Sequence, residues 1–373
     1  MINKKSNRFV ALDVMRGATI AAMILVNNPG SWQHIYAPLE HAPWHGWTFT
    51  DTIFPFFLFI VGVSIVFALK NKKDQLALRL QLHKKIIKRF FILLALGFLL
   101  SGFPYYDLAS IRIPGVLERI AVCYLVVALL YIHFSTRVLI VVTVLLLSGY
   151  WALMAWYPVP GIGAGSLERG RNFAAYVDQI FLSGHMWSAT KTWDPEGIIS
   201  TLPAIATTLF GVFSGLILTS EVKLQKRLSK LFLSGLMMIF LGVLWSQWLP
   251  INKNLWTSSY AVFMSGMAMV VLAVLSWWID IKQLNRLNKP FIIYGMNAIT
   301  VFVLSGIIGR LLYLLKWESD AGTTITLKTW LYHHFFTPWL SDINASLAYA
   351  ILWIVLSYLA MYALYKKQIF LKV

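Results

Sequence analysis

The sequence predicts an all-α polytopic membrane protein with about ten transmembrane helices, forming a single transmembrane domain over residues 1–373. Hydrophobic residues make up 58% of the chain and charged residues 13%, about half the charged share of a typical soluble domain. The apolar residues also gather in blocks of about twenty, a length that crosses a ~30 Å hydrocarbon layer as a helix. This composition excludes a soluble globular enzyme. The unbroken apolar blocks exclude an outer-membrane barrel, whose strands alternate polar and apolar residues.

Each predicted span is an apolar block between polar segments. The blocks lie at residues 9–28, 51–70, 86–103, 116–134, 137–157, 198–219, 229–249, 257–279, 290–315 and 345–365. The ninth block is the least regular, because Gly306, Gly309 and Arg310 interrupt its second half. The segment 328–340 is rich in Trp and Tyr, and it is interpreted as lying in the membrane interface rather than crossing the membrane.

The basic residues predict the orientation of the chain. With the N-terminus in the cytoplasm, most of the 32 Lys and Arg residues fall on cytoplasmic segments, as the positive-inside rule requires. An even number of spans then places both termini in the cytoplasm. Topology therefore explains the net charge of +17, and no nucleic-acid partner is expected. The densest basic segment, 70–89, also offers counter-charges to a polyphosphate ligand.

The first apolar block is interpreted as an uncleaved span rather than a signal peptide. Asp13 and Arg16 interrupt it, and no small-residue cleavage site follows. Three residues apart on a helix, Asp13 and Arg16 share one face, where they form either a structural ion pair or part of a ligand site. The single cysteine, Cys123, excludes an internal disulfide and a cysteine-based zinc site.

The outer loop between the first two spans carries the richest chemistry. It holds His34, His41 and His45, and Asp51 follows at the start of the second span. Histidines at these spacings, in a loop that contains Pro and Gly, impose no metal geometry, so no metal is expected. Histidines at a membrane interface are often simple anchors. A neutral histidine can also act as a base or nucleophile near pH 7, with Asp51 orienting its ring.

Other polar groups beside the spans suit an oxyanion or a sugar. Asn27 and Asn28 end the first span and supply amide donors. The segment RIPGVLER at 112–119 is, on local grounds, a helix start with Glu118 in the favourable first turn. Two further outer segments combine tryptophan with carboxylate, amide or lysine groups, a combination that favours sugar binding: WDPEG at 193–197 and PINKNLW at 250–256.

Eight separated motifs follow one another along almost the whole chain. They are LDVMRG at 12–17, VN at 26–27, EHAPWHGWTFTDTIFPFFLFIVG at 40–62, RIPGVLER at 112–119, YPVPG at 157–161, DPEGI at 194–198, NKNLW at 252–256 and YGMN at 294–297. In this order they resemble the membrane region of the heparan-α-glucosaminide N-acetyltransferase family, including its bacterial inner-membrane homologues. The resemblance implies transfer of acetyl from cytoplasmic acetyl-coenzyme A, across the bilayer, to the amine of a glucosamine unit.

The resemblance also implies which residues act. It places the family's active-site histidine on His41, rather than on His34 or His45, and the carboxylate that orients it on Asp51. Three residues of the histidine loop depart from the pattern of the lysosomal enzyme: Glu40, Pro43 and His45. These departures make a free amino sugar or a cell-envelope glycan plausible as the acceptor, since a long heparan chain need not fit.

The remaining predicted site residues come from the motifs and from the basic inner face. Binding of the oxyanion or the substrate is assigned to Asn27, Asn28, Trp44, Arg112, Glu118, Arg119, Asp194, Glu196, Asn252, Lys253, Asn254, Trp256 and Asn297. Binding of acetyl-coenzyme A is assigned to Asp13, Arg16 and Arg89.

The expected setting is the inner (plasma) membrane, with the chain as a multi-pass protein and a homodimer carried over from the family. Its partners are then an amino sugar or glycan end, acetyl-coenzyme A and the lipid bilayer. Two alternatives fit the same sequence features. One is a permease for amino sugars or N-acetylglucosamine without chemistry, and the other is an O-acetyltransferase that acts on envelope glycans.

Overall fold

The computed structural model describes residues 9–73, 75–284, 286, 288–318 and 322–370. Within them the chain forms thirteen α-helices and two short antiparallel hairpins, which confirms the all-α prediction. The helices are α1 (Val10–Asn27), α2 (Phe49–Leu69), α3 (Arg79–Gly102), α4 (Val116–His133), α5 (Thr136–Trp156), α6 (Phe173–Leu182), α7 (Thr201–Leu218), α8 (Leu224–Trp245), α9 (Ser258–Ser276), α10 (Asn288–Met296), α11 (Ala298–Leu314), α12 (Leu327–Phe335) and α13 (Asp342–Lys366). The hairpins are β1 (Leu167–Glu168) with β2 (Arg171–Asn172), and β3 (Lys316–Glu318) with β4 (Thr324–Thr326).

Eight described helices are long and apolar enough to cross a membrane, or nine when the bent pair of α10 and α11 counts as one span. The chain is therefore a polytopic membrane protein with fewer candidate spans than the ten predicted. When the bent pair counts as one span, the remaining difference is α3, which covers the third predicted block but carries Lys84, Lys85, Lys88 and Arg89 in its first half. Because charged side chains are costly in hydrocarbon, α3 lacks the apolar length of the other helices.

The helices differ in how much apolar surface they leave exposed. Helices α5, α8 and α13 bury only a minor part of their apolar stretches inside the chain, as lipid-facing helices do. Helix α12 has nine residues and is about 14 Å long, too short to cross the bilayer. The orientation of the termini stays a prediction, and Lys4, Lys5, Arg8 and Lys372, which contribute to it, lie outside the described residues.

The chain divides into two compact units. The first comprises residues 1–41, 48–53 and 275–372, and it contains α1 and α10 to α13. In this unit Gly17 faces the α10 backbone and Gly295 faces the α1 backbone, so that α1 and α10 pack closely. A bend of 77° separates α10 from α11. Asn297 occupies this bend, is 2% exposed, and donates from Nδ2 to the Ile369 carbonyl oxygen at 3.2 Å.

The second unit comprises residues 42–47 and 54–274 and contains α3 to α9. Here α2 crosses α7 at two small residues, Gly62 and Gly211, and each lies against the backbone of the other helix. At one end of the unit, Tyr150 is fully buried and donates from its hydroxyl to the Leu255 carbonyl oxygen at 2.7 Å. This hydrogen bond therefore connects α5 to the turn before α9.

Replacing Gly211 by Ala should destabilise the α2–α7 crossing, because the added methyl would overlap the Phe59 carbonyl oxygen. We expect a loss on the order of 1–3 kcal/mol, measured as a lower midpoint of thermal unfolding in detergent micelles. Gly149→Ala is the matched control, since nothing lies within 4 Å of its added methyl and Ala favours the helix. Equal stability of the two variants would contradict the close crossing.

Candidate active site

Helix α2 begins with a capping box. Thr48 precedes the helix and Asp51 is its third residue. The Thr48 backbone N–H donates to Asp51 Oδ2 at 3.0 Å, and the Thr48 hydroxyl lies within hydrogen-bond reach of both Asp51 Oδ2 and the Glu40 carbonyl oxygen. A Thr-x-x-Asp sequence forms this pattern because the carboxylate satisfies an N–H group that the helix leaves free. The start of α2 therefore fixes the position of the Asp51 carboxylate.

The same carboxylate contacts His41. The distance from His41 Nδ1 to Asp51 Oδ1 is 2.6 Å. The Asp51 side chain is 1% exposed, whereas the His41 side chain is 51% exposed. The structure thus brings together the two residues that the sequence predicts as catalytic, with the carboxylate buried and the imidazole open.

The contact determines which imidazole nitrogen is free. An ionised carboxylate can only accept hydrogen bonds, so His41 Nδ1 carries the proton. In the neutral ring Nε2 then carries the lone pair. Within the described part of the chain, Nε2 of His41 makes no hydrogen bond. The arrangement can therefore remove a proton from a bound group, or attack an electrophilic carbon, through Nε2.

Arg112 joins two of the sequence motifs. Its Nε and Nη2 donate to the two carboxylate oxygens of Asp194 at 2.8 and 2.5 Å, and Nη2 also donates to Glu196 Oε2 at 2.5 Å. The side chains of Asp194 and Glu196 are 0% and 5% exposed. A planar guanidinium suits this forked geometry. The RIPGVLER and DPEGI segments are consequently held together by buried charges.

Burial and pairing shift the pKa values of this cluster. Burial opposes the charge on Arg112, but hydrogen bonds and attraction from the two carboxylates outweigh it and raise the pKa of Arg112. Burial also opposes the charge on Glu196, but attraction to Arg112 outweighs it and lowers the pKa of Glu196. For Asp194 burial dominates, and its pKa is raised. Attraction between Arg112 and the two carboxylates therefore opposes the cost of burying these three charges.

Asp178, on α6, holds the backbone of the DPEGI segment. Its Oδ1 accepts from the Ile198 N–H at 2.9 Å, and its Oδ2 accepts from the Asp194 N–H at 3.2 Å. Gly197 lies against this carboxylate, where a Cβ would overlap it. Burial raises the pKa of Asp178 to about 6. Sequence analysis missed this residue, whose only signal is a carboxylate in a short apolar helix.

Arg119 lies inside α4 and is 2% exposed. Its Nη2 donates to the Gly197 carbonyl oxygen at 3.1 Å and to the Ser200 hydroxyl. Its guanidinium lies 5.2 Å from the ring centroid of Trp256. Among the described residues, Nε and Nη1 of Arg119 and Oε1 of the adjacent Glu118 have no hydrogen-bond partner. Burying such groups unpaired is costly, so these atoms are suited to a polar ligand.

The NKNLW segment forms a tight turn. Trp256 is fully buried and its indole N–H donates to a threonine hydroxyl of α7 at 3.1 Å, so its ring packs inside the protein and is not an exposed sugar platform. Asn252 is also fully buried, and its Nδ2 lies 3.4 Å from His45 Nδ1. Lys253 and Asn254 are partly exposed. Of this segment, these two side chains remain available to a ligand.

The predicted oxyanion donors end α1. Asn27 is exposed, and its side chain makes no hydrogen bond within the described ranges. Asn28 donates from Nδ2 to the Ile24 carbonyl oxygen at 2.8 Å, which commits one of its N–H groups to its own helix. Asn27 is therefore the freer of the two amides.

The predicted coenzyme A residues lie on two helices. Asp13 Oδ1 and Arg16 Nη1 are 3.0 Å apart and form the ion pair that their spacing on α1 allows. Arg89, on α3, lies over the ring of Tyr124 at 4.4 Å. In the described part of the chain its Nε has no hydrogen-bond partner. Arg89 is thus a half-buried cation whose Nε–H has no partner among the described residues.

The other residues of the histidine loop have separate contacts. His34 Nε2 lies 3.7 Å from Asp342 Oδ2. Trp44 donates from its indole N–H to the Leu167 carbonyl oxygen at 2.9 Å, and burial lowers the pKa of His45. No three His, Cys, Asp or Glu side chains are grouped to hold a metal ion in the ranges that the structure describes.

These features define a polytopic membrane protein with a buried carboxylate that orients an open imidazole. The family model for heparan-alpha-glucosaminide N-acetyltransferase, catalytic, matches residues 8–242. The chain is 31% identical over 353 residues to heparan-alpha-glucosaminide N-acetyltransferase of Mus musculus, covering 80% of this chain and 53% of that protein. It is 31% identical over 351 residues to the protein of the same name from Homo sapiens, covering 79% and 52%. The chain therefore belongs to the heparan-alpha-glucosaminide N-acetyltransferase family, and it spans about half the length of the curated relatives it matches.

Replacing Arg112 by Lys keeps the positive charge but removes the planar fork that serves Asp194 and Glu196. We expect a loss of stability on the order of 1–3 kcal/mol, seen as a lower unfolding midpoint in detergent. Arg171→Lys is the control, because Arg171 lies 3.8 Å from the exposed carboxylate of Glu168 and such pairs contribute about 0–1 kcal/mol. If both variants lost the same stability, Arg112 would not be the buried clamp described here.

Proposed function

We propose that the chain moves an acetyl group from cytoplasmic acetyl-coenzyme A to the amine of a glucosamine-type sugar on the opposite, periplasmic side of an inner membrane. The observation that carries this proposal is the contact between the exposed His41 imidazole and the buried Asp51 carboxylate. Membership of the family supports acetyl-coenzyme A as the donor. The concentration of basic residues on the segments assigned to the cytoplasm supports the sidedness.

Acetyl transfer can proceed through His41 Nε2 by two routes. In the direct route Nε2 accepts a proton from the sugar amine while the nitrogen attacks the thioester carbon, and coenzyme A leaves as the thiolate. In the covalent route Nε2 attacks the carbon first and coenzyme A leaves as the thiolate, so that an acetyl-imidazolium forms on His41. The amine then takes the acetyl group, its proton passes to the thiolate or to solvent, and the neutral imidazole is restored. Both routes need a neutral imidazole at the start, and Asp51 stabilises the positive charge that develops on it.

The developing oxyanion needs a hydrogen-bond donor. Asn27 is the better candidate, because its exposed amide has no partner within the described ranges, whereas one N–H of Asn28 is bonded to Ile24. Arg16 and Arg89 supply positive charge to the phosphates of coenzyme A, and Asp13 orients Arg16.

The sugar is assigned to the polar groups that the motifs place at the outer ends of the helices. Arg112, Asp194 and Glu196 are bonded to one another and act as the rigid support of this region. The unpaired atoms of Arg119 and Glu118 offer two donors and one acceptor to ligand hydroxyl, carbonyl or amine groups. Trp44, Lys253 and Asn254 add partly exposed contacts, while the buried Asn252, Trp256 and Asn297 position their neighbours.

A permease for amino sugars is the second candidate, and the 77° break between α10 and α11 favours it. Discontinuous helices of this kind form substrate sites in secondary transporters. Vesicles with the reconstituted chain separate the two candidates. Acetylated sugar that forms only when acetyl-coenzyme A is present supports the transferase, and unmodified sugar that accumulates without acetyl-coenzyme A supports the permease.

Replacing His41 by Ala removes the reacting nitrogen, so kcat for acetyl transfer to glucosamine should fall on the order of 10²–10⁴-fold. The release of free coenzyme A thiol measures the rate, and binding of coenzyme A should persist. His34→Ala is the matched control from the same loop, since His34 lies 3.7 Å from the exposed Asp342. Wild-type turnover by the His41 variant, or an equal loss in both variants, would refute the assignment of His41.

A further inference from the structure

Two histidines of the second unit face one another where α3 begins and α4 ends. His83 lies near the start of α3, and His133 is the last residue of α4. Their Nε2 atoms are 2.8 Å apart, and their stacked rings have centroids 5.0 Å apart. His83 is half-buried and His133 is exposed, so solutes can reach the pair. The contact joins positions 50 residues apart, and the proposed acetyl transfer uses neither residue.

The hydrogen bonds of the pair show which nitrogen atoms carry protons. His83 Nδ1 lies 2.7 Å from the Arg79 carbonyl oxygen, and because a carbonyl can only accept, Nδ1 carries the proton. In the neutral ring His83 Nε2 is then the acceptor, and His133 Nε2 is the donor of the contact between the rings. Among the described residues His133 Nδ1 makes no hydrogen bond. His133 can therefore move its proton to Nδ1 by exchange with water, which leaves two lone pairs facing one another.

The two helices hold the imidazoles in place. Gly97 of α3 lies against the Glu118 carboxylate of α4, where a Cβ would overlap it. Gly97 follows His83 by about four helical turns, and Glu118 precedes His133 by about four turns. The antiparallel helices therefore meet in register at both places. Because helices rather than loops carry the two rings, the pair is ordered before a ligand arrives.

We propose that the His83–His133 pair is a binding site for a divalent transition-metal ion such as Zn²⁺, held by the two Nε2 atoms. Imidazole is a preferred zinc ligand, with zinc–nitrogen bonds of about 2.0–2.1 Å. Two nitrogens on a tetrahedral zinc ion are then about 3.3 Å apart, so the rings need to open by only about 0.5 Å. The N–H of His83 Nδ1 already donates to a backbone carbonyl, as the second nitrogen of metal-binding histidines commonly does.

The charges around the pair determine which ion binds and how tightly. Lys84 and Lys85 follow His83 and repel a cation, whereas the negative end of the α4 dipole, at His133, attracts it. Two water molecules complete the four-coordinate ion, so binding is weaker than at a closed site of four protein ligands. Mg²⁺ prefers oxygen ligands and gains little from imidazole. The pair therefore selects a transition metal over the hard cations.

Zinc titration of the full chain in detergent, with any affinity tag removed, tests the site. Zinc should bind the wild type and raise its midpoint of thermal unfolding, because the ion binds the folded state. His83→Gln and His133→Gln should each weaken binding by at least about tenfold, and the double variant should lose no more than either single variant, since both residues hold one ion. His185→Gln is the matched control. His185 also bonds a backbone carbonyl through Nδ1, but it contacts no second imidazole within the described ranges.

The metal site does not depend on the proposed function, and its test uses neither acetyl-coenzyme A nor a sugar. The proposal is overturned by a wild type that binds no zinc, by wild-type affinity in both single variants, by an equal loss in His185→Gln, or by competition from equimolar Mg²⁺. Any of these results would leave the pair as a hydrogen bond between two helices. If His83→Gln does not fold, His133→Gln decides alone, because His133 is exposed at a helix end and its replacement keeps the bond between His83 and Arg79.

Discussion

The hydrogen bond between the exposed imidazole of His41 and the buried carboxylate of Asp51 is the interaction on which the rest of the proposed chemistry depends. A carboxylate that is 1% exposed is costly unless several donors surround it. Here the Thr48 N–H, the His41 ring and the positive end of the α2 helix dipole supply that stabilisation. Asp51, the carboxylate of the proposed catalytic pair, thus belongs to a helix start, which positions it more rigidly than a free loop would.

Two arginines of one motif have different environments. The guanidinium of Arg112 donates to the buried carboxylates of Asp194 and Glu196, and Asp178 accepts a hydrogen bond from the Asp194 backbone N–H. Arg119 lies near the start of α4, and its Nε and Nη1 atoms have no hydrogen-bond partner among the described residues. Breaking a buried ion pair is costly, whereas an unpaired buried donor gains from a ligand. Arg112 is therefore a support of the fold, whereas a role of Arg119 in binding the substrate belongs to the proposed function.

Local patterns in the sequence predicted the parts of the site that depend on local geometry. The sequence predicts Asp51 at the start of the second span, ten residues after His41, and the structure adds that the Thr-x-x-Asp spacing at this start holds its carboxylate. The pairing of Arg112 with Asp194 joins positions 82 residues apart, and no periodicity in the chain indicates it. The sequence likewise gives no sign that Trp256 is buried, because a tryptophan in a short, largely polar segment is equally typical of a surface turn.

Asp51→Asn tests the central claim most directly, because the amide can keep the shape of the side chain while its NH₂ group can donate to Nδ1 and move the imidazole proton to Nε2. The measurement is kcat for acetyl transfer to glucosamine, together with KM for acetyl-coenzyme A. The account predicts that kcat falls on the order of 10²–10⁴-fold while KM changes little, as expected when a base is held in the wrong tautomer. A kcat equal to that of the wild type would contradict the role of Asp51 and, with it, the assignment of Nε2 of His41 as the reacting atom.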